Sequence, residues 1–289
     1  MIYLMGRALV GVLQLFVLSA LMFVLFRVAP GDYYTAAAIE DPRISVESLR
    51  GFQRSWVAEY GAWVLSCLHG ELGESIAYRL PVRELLGPRV GKTMRVAVPG
   101  LLLAWIIGLG GALLFRRRSG AFDPGMSAAA MVPDVILTSV VLWVAVAAGL
   151  SITGAWLPVV GLTFSLVPVI FLHASSELRK ASEAAFVRIA ESRGVRGARL
   201  WLRYVLPAAG NPLVSLAGLS VAAAIGSSFV VEALTGWPGV GPMFLEAVQA
   251  RDYPVVQTVL VGLSGVLVMG NLVADLALYR LDPRIRGGA

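Results

Sequence analysis

The sequence predicts an all-α polytopic membrane protein with six transmembrane helices, and three observations carry that expectation. Of 289 residues, 57% are apolar and only 15% charged, with a mean hydropathy of +0.77, well above that of an ordinary soluble chain. Six apolar segments of about bilayer length can be counted: 8–29, 96–115, 128–150, 157–175, 212–231 and 254–278. Basic residues crowd the segment ends at Arg7, Arg116 to Arg118, Arg179 to Arg203, and Arg280, Arg284 and Arg286. With six spans, all of these fall on one side, which the positive-inside tendency makes the cytoplasm, with both termini inside. The net charge of +6 and pI of 9.8 then reflect topology. No basic surface is joined to stacking aromatics in a soluble module, so nucleic acid is not an expected partner. Lipid is.

Taken in order, the first segment is too long for a signal-peptide core and lacks a small-residue cleavage site before Pro30, so it is expected to remain in the mature chain. The loop 30–95 is extracytoplasmic and of mixed charge. Within it, Gly87-Pro-Arg-Val-Gly91-Lys92-Thr93 approaches a phosphate-binding loop but has three residues between the glycines, one short of the cradle. No strand and helix alternation surrounds it, so it is not an ATP site. In the second segment Ala104, Gly108 and Ala112 are spaced by four, with Gly110 and Gly111 beside them, which suits close helix packing in lipid. Pro133, Pro158, Pro168 and Pro254 are the candidate bends.

Asp134 follows Pro133 in or at the edge of the third segment and has two readings: a proton or cation group inside the membrane, or a side chain at the headgroups. Asp275, one turn from Tyr279 and Arg280, reads as an interfacial structural residue. His69 and His173 fall on opposite sides of the membrane and cannot share a metal. Cys67, the sole cysteine, reads as a small buried apolar residue. With no nucleophile and base pair or paired carboxylates at a telling spacing, the chain is not expected to be an enzyme.

Between the fourth and fifth segments the cytoplasmic loop 176–211 holds a basic amphipathic island. Ser182 is a candidate cap, Glu183 suits the positive end of a helix, Phe186, Ile189 and Ala190 recur on one face, and Arg188, Glu191 and Arg193 decorate the other. Gly194 stands where a left-handed cap would end the helix. So short a helix needs lipid or another protein's groove to cover its apolar face. On charge alone it is a basic interfacial loop. After the fifth segment, Gly236-Trp237-Pro238-Gly239-Val240-Gly241 is a turn-rich element with an aromatic anchor at the outer interface.

Spacing adds more. Arg188-Ile189-Ala190, three residues, Gly194, nine residues, then Tyr204-Val205-Leu206-Pro207 resembles the cytoplasmic signature loop of ABC importer membrane subunits, which reads Glu-Ala-Ala, three residues, Gly, nine residues, Ile, any residue, Leu-Pro. The leading Glu is Arg here, the first Ala is Ile and the Ile is Tyr. Glu232-Ala-Leu-Thr-Gly-Trp-Pro-Gly-Val-Gly241, Arg251-Asp-Tyr-Pro-Val-Val-Gln257, Asn271-Leu-Val-Ala-Asp275 and Leu281-Asp-Pro-Arg-Ile-Arg286, in this order, look like the dipeptide, oligopeptide and nickel permease family in its first-subunit branch. Arg27-Val-Ala-Pro-Gly-Asp32 and His69-Gly-Glu-Leu-Gly-Glu-Ser75 are similar to the same branch. The connection Ser151 to Trp156 is much shorter than in many such relatives, and Asp134 is a departure from their small residue and proline.

The resemblance implies a type I ABC importer permease fold and half of a translocation pathway in the bacterial inner membrane. It implies a second homologous permease subunit, two ATPase subunits that hold ATP and Mg, and an extracytoplasmic solute-binding protein, with no cofactor in this chain. It further implies that Phe186, Arg188, Ile189, Ala190, Glu191, Arg193 and Gly194 form an ATPase-coupling helix, and that Pro133, Asp134, Trp237, Pro238 and Gly239 lie along the translocation path or gate. The rival classes are a stand-alone proton- or ion-coupled carrier or channel built on Asp134, for which paired broken spans are missing from the sequence, and a scaffold without transport. Peptides, opines, glutathione-like thiols and chelated nickel all remain open as solutes.

Overall fold

The computed structural model describes residues 2–28, 56–115 and 119–281. The motif at Arg27 to Asp32 lies mostly outside them, as do Arg116 to Arg118 and the end of the chain from Asp282. Among the described residues the chain is helical, with no β-ladder beyond an isolated bridge between Glu74 and Pro81. The helices are α1 (Ile2–Val28), α2 (Trp56–Leu68), α3 (Val82–Leu114), α4 (Ser119–Ala130), α5 (Asp134–Ala147) and α6 (Trp156–Ser182). They continue with α7 (Ala185–Ser192), α8 (Ala198–Thr235, with a π-helical turn at Trp201–Val205), α9 (Val240–Gln249) and α10 (Tyr253–Leu281). Five of these are long and apolar enough to cross a membrane, or six spans if the bent pair α4 and α5 is one.

The centre is a parallel pair, α3 beside α6. Gly100 meets Leu162, Gly108 meets Ile170 and Gly111 meets Phe171, a near-constant register. A Cβ on Gly100 or Gly108 would stand 2.8 or 2.9 Å from those side chains, while Ala104 and Ala112 are fully buried between them. The small-residue stripe therefore serves this chain's own α6: where lipid removes the hydrophobic drive to associate, close backbone approach and dispersion hold the helices together. α6 is the most enclosed span, 61% of its apolar window being buried against 11% for α1.

Around this pair, α8 runs the opposite way and α10 returns. The two cross where Gly218 and Gly270 face each other, each so close that a Cβ on one would sit 2.7 Å from the other's carbonyl oxygen. Trp105 Nε1 donates to Ser220 Oγ at 3.0 Å, tying α3 to α8. α1 lies outermost on α10. Its Gly11 leaves room for Val268, and Arg7 donates to the buried Asp275 carboxylate at 2.7 Å, so Asp275 is a helix-to-helix tie.

Three expectations need correction. The segment 128–150 is not one continuous helix: α4 and α5 meet at 101° across Met131 to Pro133. Pro133 has no N–H to continue a helix and forces the preceding residue out of the α region. The other candidate bends behave differently. Pro158 and Pro254 lie in the first turns of α6 and α10, where the missing N–H costs nothing, and Pro168 is carried inside a continuous α6. Secondly, the apolar segments 96–115, 157–175 and 212–231 are parts of longer helices. α3 begins at Val82, α6 runs on to Ser182 and α8 begins at Ala198. Thirdly, the stretch expected as loop 30–95 holds α2 and the first turns of α3, so Gly87 to Thr93 is interior helix.

Candidate functional site

At the end of the molecule where α6 stops and α8 starts, the island forms α7. Ser182 does not cap it. Its hydroxyl donates to the Arg179 carbonyl at 2.7 Å at the end of α6, and the N-cap is Ala184, without a side-chain hydrogen bond. The start is pinned instead by Arg188, whose Nε and Nη2 donate to the Glu183 carbonyl at 3.0 and 2.8 Å, so this guanidinium is turned back on its own chain.

The apolar positions of α7 divide into two stripes. Val187 and Ala190 are 1% and 4% exposed and join a buried cluster with Leu178, Ala181, Leu200 and Val205. Phe186 and Ile189 are 50% and 52% exposed. Ala190 thus belongs to the inward stripe, not to the face it was expected to share with Phe186 and Ile189. Glu191 and Arg193 are exposed beside the outward pair.

The helix closes as expected. Gly194 adopts φ +86°, with its N–H on the Glu191 carbonyl at 2.9 Å and that of Val195 on the Ala190 carbonyl at 3.1 Å, the two bonds of a Schellman cap. A Cβ here would meet nothing within 4 Å, so only backbone strain opposes substitution. Gly194→Ala is expected to cost about 1–2 kcal/mol, read as a lowered thermal midpoint of the detergent-solubilised protein.

At the opposite end, the turn after α8 is built around Glu232. Gly236, at φ +67°, ends the helix. Glu232 is completely buried and its Oε2 accepts from the Gly241 N–H at 2.9 Å. Val240 N–H donates to Thr93 Oγ1 at 2.9 Å and Trp237 Nε1 to the Lys92 carbonyl at 3.1 Å. Trp237 is thereby a clasp onto α3 as well as an interface aromatic. Gly239 is packed so tightly on the Glu232 carboxylate that a Cβ would overlap Oε2, and one on Gly241 would overlap the Phe229 carbonyl. Pro238 lies between these anchors.

Pro133 and Asp134 sit at the bend between α4 and α5, far in sequence from both ends of α8. Asp134 is half-buried in the first turn of α5, where a helix N-terminus favours an acid. His69 and His173 each bond the carbonyl four residues back and do not meet.

The family described as "Binding-protein-dependent transport system inner membrane component" matches residues 94–287. This chain belongs to that family. It is a multi-pass inner-membrane component, the translocation subunit of an ABC importer that works with ATPase and binding-protein partners. The importer subunit is 28% identical over 314 residues to a probable peptide ABC transporter permease of Sinorhizobium fredii, with 99% of each chain covered. It is 26% identical to the oligopeptide transport system permease AppB of Bacillus subtilis and 25% to the glutathione transport system permease GsiC of Escherichia coli, with 98% of each chain covered. Among solved structures, the inward-facing MetNI methionine ABC transporter shares the fold, with a TM-score of 0.61 and 20% identity over 68% of this chain and 96% of that one.

Two further parts of the importer subunit, at the same end as the Trp237 turn, were not legible as functional residues. Asp252 is completely buried and accepts from the Ser75 hydroxyl and, at 3.4 and 3.3 Å, from the Ile76 and Ala77 N–H groups. Ser75 and Asp252 each belong to a family-like run, but only the fold brings them together. Next to them the Tyr78 hydroxyl donates to Glu246, and that carboxylate holds the phenol above its usual value of 10.0. The bond supports the fold below pH about 10 and is lost as pH rises through the elevated pKa. Ultraviolet titration should show one late tyrosine, returned to the ordinary range in Glu246→Gln.

Proposed function

We propose that this subunit forms half of the path of an importer for peptides or related small solutes, chelated nickel included, with a second homologous permease forming the other half. Relatives named for peptide, oligopeptide and glutathione transport support that solute range. Two separate ATPase subunits, holding ATP and Mg, drive the cycle, and an extracytoplasmic binding protein delivers the solute. This chain needs no cofactor, and both termini are cytoplasmic.

The observation that carries the mechanism is the division of α7. Phe186 and Ile189 face outward as an unpaired apolar couple, while Val187 and Ala190 join a cluster with the ends of α6 and α8. The outward pair fills a groove on an ATPase, and Glu191 and Arg193 meet its rim. Arg188 and Gly194 hold the helix in shape. When the ATPases close on ATP, a push on α7 passes through that cluster to α6 and α8. The cavity then changes the side to which it opens. Pro133 and Asp134, at the bend, lie on the solute path. Trp237, Pro238 and Gly239 form the gate at the far end of α8.

Co-purification with the ATPase subunits tests this. Ile189→Asp should weaken assembly by about tenfold, the loss of one buried apolar anchor, and abolish binding-protein-stimulated ATP hydrolysis in proteoliposomes. Membrane insertion should remain intact. Wild-type assembly and hydrolysis in this variant would remove α7 from the coupling role.

A further inference from the structure

A cavity of about 420 Å³ lies between α2, α3, α8 and α10, below the outer turn. We propose that it binds one acyl chain of a membrane lipid. The inference rests on the membrane setting of this chain and not on the coupling role of α7.

Depth comes first. Phe229 and Ile225 on the α8 wall lie two and three helical turns from the end of α8, about 9–15 Å along its axis. On α10 the wall runs from Thr258 to Val266, starting a little over one turn from Tyr253. The cavity therefore sits inside the apolar lengths of two spans.

The chemistry of the wall selects the occupant. Apart from the thiol of Cys67 and the indole N–H of Trp63, the only oxygen- or nitrogen-bearing side chains on it are Thr93 and Thr258, and both hydroxyls are engaged. Thr93 Oγ1 accepts from the Val240 N–H and Thr258 Oγ1 donates to the Leu72 carbonyl. A water needs two to four polar partners, and an apolar cavity of about 150 Å³ already stays dry and takes up benzene. This one is nearly three times as large and open on one side, so an apolar molecule can enter it from its surroundings.

A slender flexible chain fits, and in a bilayer lipid tails are the apolar chains at highest concentration. A peptide-like solute would bring several amides to a wall whose one nitrogen donor outside the backbone is the Trp63 indole, and most of them would stay unpaired.

Gly262 supplies the test. It lines the cavity, and a Cβ added there meets nothing within 4 Å, so Gly262→Leu enters the space from an open position. The assembled importer is placed in nanodiscs of phosphatidylethanolamine and phosphatidylglycerol carrying a trace of phospholipid with a diazirine near the end of one acyl chain. After photolysis, labelled peptides are mapped by mass spectrometry. Label should concentrate on the stretches holding Leu86 to Met94 and Thr258 to Val266, about tenfold above the exposed Ile106 and Ile107 of α3. Gly262→Leu should remove that excess and leave Ile106 and Ile107 unchanged. Gly110→Leu, at an open glycine away from the cavity, should change nothing. If Gly262→Leu fails to assemble, Cys67→Leu on the opposite wall gives the same reading. Even labelling of all lipid-facing stretches, or label at the cavity indifferent to both filling variants, would overturn the proposal. Displacement by a transported peptide would overturn it too and assign the space to solute. Cross-linking of Cys67 to the partner permease with a short bismaleimide would assign it to the subunit interface.

Discussion

Gly241→Ala is expected to destabilise this importer subunit by about 2–3 kcal/mol and to suppress transport while α7 still binds the ATPases. The added methyl would overlap the Phe229 carbonyl, which is backbone inside α8 and cannot rotate away. Relief must come from moving the turn, and moving it breaks the Gly241 N–H bond to Glu232. The carboxylate is then left buried without that donor. Gly239→Ala presses on the same carboxylate from the other side; a side chain yields more readily than a backbone, so its effect should be smaller. Gly210→Ala is the control, since its Cβ meets open space on α8 and Ala is the better helix former. Thermal unfolding in detergent checks the ranking, with Gly241→Ala lowering the midpoint by roughly 5–10 °C. If Gly241→Ala and Gly210→Ala behave alike, the turn is not the rigid element described.

Asp252→Ala is expected to cost about 3 kcal/mol, because the Ser75 hydroxyl and the amides of Ile76 and Ala77 lose one shared acceptor. Asp252→Asn keeps one acceptor oxygen and should cost about half as much. The sharper measurement is a double-mutant cycle with Ser75→Ala, in which the two losses should fall short of additivity by roughly 1–2 kcal/mol. Additive losses would mean that the bond across 177 positions of sequence contributes nothing. Detachment of the segment 69–81 should also expose the cluster of Val82, Met243 and Val255 beneath it, read as faster proteolysis after Arg79.

Hydropathy made most of the span count legible, since lipid demands long apolar helices whatever their packing. It was blind to the bend at Pro133, because an average over a window keeps its value when the helix axis turns. It also stopped α6 too early: Glu177, Arg179 and Lys180 end an apolar count but not a helix. In the island, Gly194 was legible because a positive φ has a residue preference. The facing of α7 was not, since Phe186 with Ile189 and Val187 with Ala190 are both spaced by three. Periodicity offers two adjacent stripes, and only packing against α6 and α8 chooses between them. Glu232 left a faint signal, an acid one residue past an apolar segment and just before three glycines in ten residues. The turn's partners on α3, Lys92 and Thr93, are more than a hundred residues away, and no local pattern reaches that far.

The glycine crossing of α8 and α10 has a mechanical meaning. Gly218 stands near the middle of α8, about 30 Å from its first residue and 25 Å from its last. At that point no side chain separates the two backbones, so the contact is a bearing with nothing to shear off. Any tilt of α8 about it works as a seesaw. A displacement delivered beside α7 is returned at the Trp237 turn almost at full scale and in the opposite direction, without any bend in the rod between.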